Sequence, residues 1–300
     1  MLDPLSSASS MAASPALRRD PPRRMAASSR GFRAAAAVAG ALGAGSAAGL
    51  AAQALYVVRR PLPTMSGHHG STMLPGSVQV PASRRVVAVG DSSLTGPGLA
   101  DVTDIWIVNA LAHAVHEAQV PFSVFFDNRA VGGSTAGEVL CQQTGRLPAC
   151  DLAILSVGAN DVIRGTRLGR YRGAVNATLA LLRARTDQII VLGVPPLGVI
   201  PRVPSGLSQI LDRRSERFNR IARRAAEDNG AAFVDPWETR QEFAQMGTRW
   251  FAGDWFHLNA DGHARIAREA GDIVATWVTG TAKTADSPAA DSPAADSPGE

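Results

Sequence analysis

Four short clusters hold residue types able to do acyl-transfer chemistry: Gly90-Asp91-Ser92-Ser93, the stretch 128–135 with Asn128, Gly132 and Gly133, Gly158-Ala159-Asn160-Asp161, and Asp254-Trp255-Phe256-His257. A serine hydroxyl attacks an acyl carbon only if a base takes its proton, and imidazole does this well because it titrates near neutrality. His257 is the candidate base for Ser92. Asp254, three residues earlier, can hold the other ring nitrogen in the required tautomer and stabilise the imidazolium once it forms. The oxyanion that develops needs donors already in place. The backbone N–H groups of Ser92 and Gly133 and the side-chain amide of Asn160 supply three, and Gly133 has no Cβ to obstruct a substrate oxygen. Each cluster alone has an ordinary explanation. Ser92 and Asp254 suit helix caps, Asn160-Asp161 suits a turn or cap, and Gly132-Gly133 permits a tight connection.

These clusters are far apart in sequence, so elements must bring them together. Short apolar runs read as strands over 85–90, 122–126, 151–156, 188–192 and 231–234. Between them lie helical periodicities. The first covers 102–119 with Ile105, Val108, Ala112 and Val115 on one face, and the second covers 171–183. The third covers 207–228 with Ile210, Leu211, Phe218, Ile221 and Ala225 facing in. A last helix begins near Asn259 with Ile266, Ala270, Ile273, Val274 and Trp277 on one stripe. Such alternation requires crossover connections, which predicts an α/β domain over 84–279: a five-stranded parallel sheet, doubly wound, with helices on both faces in three layers. Ligands in such sheets bind beyond the carboxyl ends of the strands, and each cluster follows a strand or its loop.

With these four blocks in order, the chain resembles the SGNH hydrolases, or GDSL esterase/lipase family, from Gly90 through His257 and into the last helix. The resemblance implies a flavodoxin-like sheet and hydrolysis of carboxylic esters without metal or organic cofactor. It implies Ser92 as nucleophile, Gly133 and Asn160 as oxyanion donors with the Ser92 N–H, and Asp254 and His257 as the rest of a triad. Ser93 stands where relatives often have Leu, and Leu258 where many have Pro; neither change removes a catalytic atom. VLGVPPLG after the fourth strand and HLNADGHARIA around His257 look most like membrane-anchored or secreted bacterial members. The expected partner is a small-molecule, lipid or acylated-glycan ester, with the apolar, Pro-rich stretch 197–207 walling an acyl pocket. Two further readings stay open: an O-deacetylase or acyltransferase acting on envelope carbohydrate, and a tethered binding module.

Other chemistry-bearing residues point elsewhere. No G-x-S-x-G occurs, and His113 and His116 do not have the H-E-x-x-H spacing of zinc proteases. His68 and His69 have no Cys or acidic neighbour and read as loop residues, and His263 reads as structural in the first turn of the last helix. Cys141 and Cys150 bracket a Gly- and Pro-containing loop; in an oxidising compartment a disulfide there contributes about 2–3 kcal/mol.

The basic charge is local. Residues 1–60 hold eight Arg against Asp3 and Asp20, whereas 61–300 carry 22 basic and 24 acidic side chains, so the folded part lacks the basic surface a nucleic-acid partner needs. A basic arm (1–33) precedes an uncharged run over 34–58, which as a helix is roughly 37 Å long, enough for a hydrocarbon core of about 30 Å. The run is mostly Ala and Gly. It reads as a signal anchor, as a signal peptide cut after Ala52-Gln53-Ala54, or as a non-inserting arm. The Arg excess before it predicts a single-pass membrane protein with the domain outside, or a secreted one after cleavage. A Pro/Gly/Ser-rich linker over 59–83 and a low-complexity ADSPA tail over 280–300 complete the plan.

Overall fold

The computed structural model describes residues 48–53, 65–74, 83–119 and 122–285, with side chains up to 280. Six strands form one sheet: β1 (Gly70–Leu74), β2 (Ser83–Gly90), β3 (Ser123–Asn128), β4 (Leu152–Ser156), β5 (Ile189–Leu192) and β6 (Ala232–Val234). Their order is β1-β3-β2-β4-β5-β6. All neighbours are parallel except β1, which runs antiparallel to β3 with Leu74 opposite Val124. Val86–Val89 of β2 and all of β4 are buried, as expected of central strands covered on both faces.

The sheet is wound in two directions from β2. The chain passes from β2 to β3 through α1 (Ser92–Thr95) and α2 (Trp106–Ala118). After α3 (Ala159–Ile163) it moves the other way, from β4 through α4 (Leu168–Arg183) to β5 and through α5 (Ser205–Asp228) to β6. Right-handed crossovers then put α2 on one face and α4 with α5 on the other. After α6 (Arg240–Met246), the last helix α7 (Ala260–Ala285) packs along α2, while α4 packs on α5. The reversal falls between β2 and β4, where Gly90 lies opposite Ser156, and opens a crevice at the carboxyl edge.

The sixth strand corrects the five-stranded expectation, and it comes from within the stretch 59–83 read as linker. Its sequence, GSTML, buries only Leu74, so no side-chain pattern announces it; its backbone occupies the otherwise bare edge of β3. The histidines before it are not idle loop residues either. His68 N–H donates to Thr95 O at 2.7 Å, and the rings of His68 and His69 bond the carbonyls of Leu99 (3.2 Å) and Ala130 (3.3 Å).

Other boundaries shift for identifiable reasons. The stretch 102–119 breaks into a 3-10 turn (Val102–Asp104), capped by Asp101, and α2. On α5, Ile210 is exposed, while Asp212, Ser215 and Asn219 are buried. Their side chains accept the N–H groups of Gly198 (2.7 Å), Leu197 (3.4 Å) and Val194 (2.9 Å), so the inner face of this helix is polar where it holds the loop after β5. Helix α7 continues past 279 to Ala285, through residues that tolerate helix, with Pro288 beyond. The arm 1–33, the tail beyond 285 and the run 34–58 outside 48–53 lie outside the described residues. Among the described residues no helix is long and apolar enough to cross a membrane.

Candidate active site

Ser92 owes its position to its neighbours. At Gly90 a Cβ would lie 2.1 Å from the Ser156 carbonyl oxygen, so only glycine lets β2 end this close to β4. Asp91 then caps α1, its carboxylate accepting the Ser93 N–H at 3.1 Å, and Gly96 in the left-handed region (φ +54°) closes the helix by donating to Ser92 O. As the first residue of α1, Ser92 has an N–H with no intrahelical acceptor. The adjacent serine is committed: Ser93 Oγ and Ser156 Oγ lie 2.5 Å apart. Ser92 Oγ has no hydrogen-bond partner among the described residues. Of the two serines it is the one free to react.

Asp254 and His257 share a tight turn. The buried Asp254 accepts the N–H groups of Phe256 (2.9 Å) and His257 (3.0 Å) through Oδ1, and its Oδ2 lies 2.6 Å from His257 Nδ1. Burial pushes the Asp254 carboxyl up, but the hydrogen bonds from the His257 ring and these two amides outweigh it and hold the group below its ordinary value. An ionised Asp254 accepts, so the His257 proton sits on Nδ1 and Nε2 is left as a base. Trp255, at φ +59° between them, is held by its N–H on Ala252 O and by its carbonyl, which accepts the Arg202 N–H. Arg202 Nη1 also donates to Asp254 O at 3.2 Å.

The two clusters meet in one cavity. Ser92 and His257 both line it, over walls formed by Trp106 of α2, Leu197, Val199 and Ile200 after β5, Phe243 of α6, Phe251, Phe256 and Ile266. The apolar wall expected over 197–207 is therefore present as far as Ile200, and its remainder comes from elements that carry no sequence signal of the role. Ser92 Oγ and His257 Nε2 are not hydrogen-bonded to each other here. Between a serine and a histidine that lines the same cavity, such a bond often forms only when a ligand is bound.

Gly133 and Asn160 are placed beside Ser92 rather than in that cavity. Gly133 is at φ +83°, a conformation that favours glycine. A Cβ on its neighbour Gly132 would lie 4.0 Å from Ser92 Cβ. Asn160 Nδ2 donates to Ser134 O at 3.2 Å and approaches Asp91 Oδ2 at 3.5 Å, joining the loop of the glycine to the loop of the serine. Asp161 reaches back to accept the Ala136 N–H at 2.8 Å.

One residue of this site has no sequence motif. Gln143 ends a π-helical turn (Val139–Gln143), which leaves Cys141 and Gln142 exposed and turns Gln143 inward. Its Oε1 accepts the Gly90 N–H at 2.7 Å, and its Nε2 donates to Gly90 O at 2.9 Å and to Ser134 Oγ at 3.1 Å. It bonds both the N–H and the carbonyl of the residue before Asp91, and the hydroxyl of the residue after Gly133.

Cys141 and Cys150 are not bonded to each other in the structure. Cys141 lies on the outer side of the π turn, whereas Cys150 packs against the core ahead of β4. Burial, with the Asp151 charge beside it, pushes the Cys150 thiol up to about 11 and makes it a poor nucleophile. Among the described residues no cluster of His, Cys, Asp or Glu can hold a metal ion.

His263, read as structural, is buried and lines the cavity. Its Nδ1 accepts the Trp106 N–H at 3.2 Å, and burial, with a smaller contribution from His257, lowers its pKa from 6.5 to about 3. The folded chain thus holds it neutral where the unfolded chain would protonate it. Its stabilisation is present above pH 6.5 and is lost as pH falls towards 3. Asp91 has the opposite sign. Burial raises its carboxyl from 3.8 to about 6, so its contribution is present below 3.8 and lost as pH rises through 6. A His263→Asn variant, whose Oδ1 can keep the Trp106 bond, is expected to lose about 3 kcal/mol less stability than the parent between about pH 7 and pH 4. Denaturant melts at the two pH values check this; equal losses would contradict it.

The chain is similar to known proteins over most of the folded domain. The model of the GDSL-like lipase/acylhydrolase family matches residues 88–265. A GDSL-like esterase of Mycobacterium tuberculosis is 27% identical over 197 residues, which are 63% of this chain and 61% of that protein. Among solved structures, LAE5, an α/β hydrolase from the metagenome of Lake Arreo, is 19% identical with a TM-score of 0.52, over 66% of this chain and 97% of its own. The psychrotrophic esterase EstA of a Pseudoalteromonas species is 18% identical with a TM-score of 0.51, over 65% and 99%. Axe2, an acetylxylan esterase of Geobacillus stearothermophilus, is 17% identical with a TM-score of 0.51, over 67% and 99%. These structures share the fold, and the family match spans Ser92, Gly133, Asn160, Asp254 and His257 alike: the chain belongs to the GDSL-like lipase/acylhydrolase family.

Proposed function

We propose that the protein hydrolyses carboxylic esters through an acyl-enzyme on Ser92. The observation that carries this is a partnerless serine hydroxyl and a carboxylate-oriented imidazole facing one apolar cavity. The acyl group occupies the cavity, His257 Nε2 takes the Ser92 proton, and Oγ attacks the carbonyl carbon. The tetrahedral oxyanion is received by the N–H groups of Ser92 and Gly133 and by Asn160 Nδ2. His257 then returns the proton to the departing alcohol, and a water repeats the sequence to release the acid and restore Ser92. Purified protein is expected to hydrolyse p-nitrophenyl esters; no turnover on any chain length would contradict the proposal. If a sugar hydroxyl rather than water accepts the acyl group, acylated sugar appears in place of free acid when both are supplied.

Gln143 is the positioning residue this chemistry needs between nucleophile and oxyanion loop. Gln143→Leu is expected to lower kcat on the order of 100-fold with KM little changed, because small misplacements of aligned groups are costly. Steady-state kinetics checks this, and turnover like that of the parent would show that the amide serves only stability.

Placement of the domain outside the cytoplasm rests on sequence alone, on the Arg-rich arm ahead of the uncharged run 34–58. Fractionation and the mass of the mature protein test it: a full-length protein in the soluble cell fraction would contradict export.

A further inference from the structure

We propose that the cavity selects acyl groups bearing a neutral hydrogen-bond acceptor, an ether, hydroxyl or keto oxygen, received by Trp106 Nε1–H and His263 Nε2–H. The inference rests on the esterase reading and names the acyl class for that site.

The cavity looks like a socket for a plain alkyl chain, since its walls are Leu, Val, Ile, Pro and Phe side chains. Two of its lining residues do not fit that description. Trp106 is 1% exposed, and its Nε1 is buried with no hydrogen-bond partner. A buried donor left unpaired is destabilising, so such groups are rare and point to a missing acceptor. His263 is the second. Its Nδ1 already accepts the Trp106 backbone N–H, so its proton is on Nε2, and that N–H has no acceptor among the described residues. Both donors belong to side chains at least nine-tenths buried, linked to each other through the Trp106 backbone, and both residues line the cavity that Ser92 and His257 also line.

The chemistry of these donors limits what they can receive. Neither carries a charge, burial keeping His263 neutral. No Lys or Arg lines the cavity, whereas Asp91 does. An acyl group ending in a carboxylate would be buried without a cation and beside an acid. A plain alkyl chain would leave both donors unpaired. A neutral oxygen satisfies them and is repelled by nothing in the wall.

The test uses matched p-nitrophenyl esters in which an oxygen replaces one methylene: methoxyacetate against butyrate, 3-methoxypropionate against valerate, and 4-methoxybutyrate against hexanoate. The kcat/KM ratio within each pair is divided by the ratio for alkaline hydrolysis, which removes intrinsic reactivity. The parent is expected to favour the oxygen-bearing ester by about tenfold in at least one pair, the value of a satisfied buried donor. Trp106→Phe, which keeps the ring but not the N–H, is expected to bring that preference to within about twofold of unity. Corrected ratios near one in every pair, or a preference unmoved by Trp106→Phe, would overturn the proposal. If Trp106→Phe does not fold, His263→Phe is read in its place with the same expectation. A parent inactive on all six esters would instead remove the esterase reading, and this inference with it.

Discussion

Ser92→Ala and His257→Ala are each expected to lower kcat on p-nitrophenyl esters on the order of 10⁵-fold, with the double variant little worse than either single one. The expectation follows from the division of labour in the site. Ser93, the only other hydroxyl in the cluster, is paired with Ser156 and cannot stand in for Ser92. The His257 ring is fixed through Nδ1 by Asp254, so no other group in the turn can take the proton. Once either member is gone the other has no function, and the two losses do not add. Activity left over would come from the oxyanion donors and the cavity, which the substitutions do not touch. Titrating active sites before measuring rates separates lost chemistry from lost folding. Singles with large residual activity, or losses that multiply in the double variant, would place the reaction on other residues.

Asp254→Asn is expected to cost about 10⁴-fold in kcat with little change in KM. The asparagine is nearly isosteric and buried, and its Oδ1 can still accept the N–H groups of Phe256 and His257, so the turn is kept. The contact to the ring changes character. An amide N–H placed at the Oδ2 position favours the tautomer with the proton on Nε2, the nitrogen that must act as base. Steady-state kinetics with thermal melts checks both halves. An unchanged melt with an unchanged kcat would show that Asp254 is a turn cap and no more.

The candidate clusters were legible because acyl-transfer chemistry asks for particular residue types. The Ser, His, Asp and Gly that it would need stand at the ends of strands or in the loops after them. The crossover architecture was legible because buried parallel strands are near-continuous apolar runs, as in 151–156. What escaped the sequence lacked such a code. Strand β1 is held by backbone bonds that any residues can make. Part of the inner face of α5 is polar because Asp212, Ser215 and Asn219 hold backbone amides of the loop after β5, so hydrophobic periodicity placed Ile210 on the wrong side. Gln143 is one glutamine among several until the π turn aims it at Gly90. Phe243, Phe251 and Trp106 come from three separate elements, and only the folded chain brings them to one wall.

The most direct test of the account is covalent trapping. Purified protein is treated with a p-nitrophenyl alkylphosphonate, which leaves a stable tetrahedral adduct on an activated serine, and fragment-ion mass spectrometry locates the adduct. One phosphonyl group per chain is expected, on Ser92 and not on Ser93, and none in the His257→Ala protein. An adduct on Ser93 or another residue, or labelling of Ser92 that proceeds equally well without His257, would contradict it.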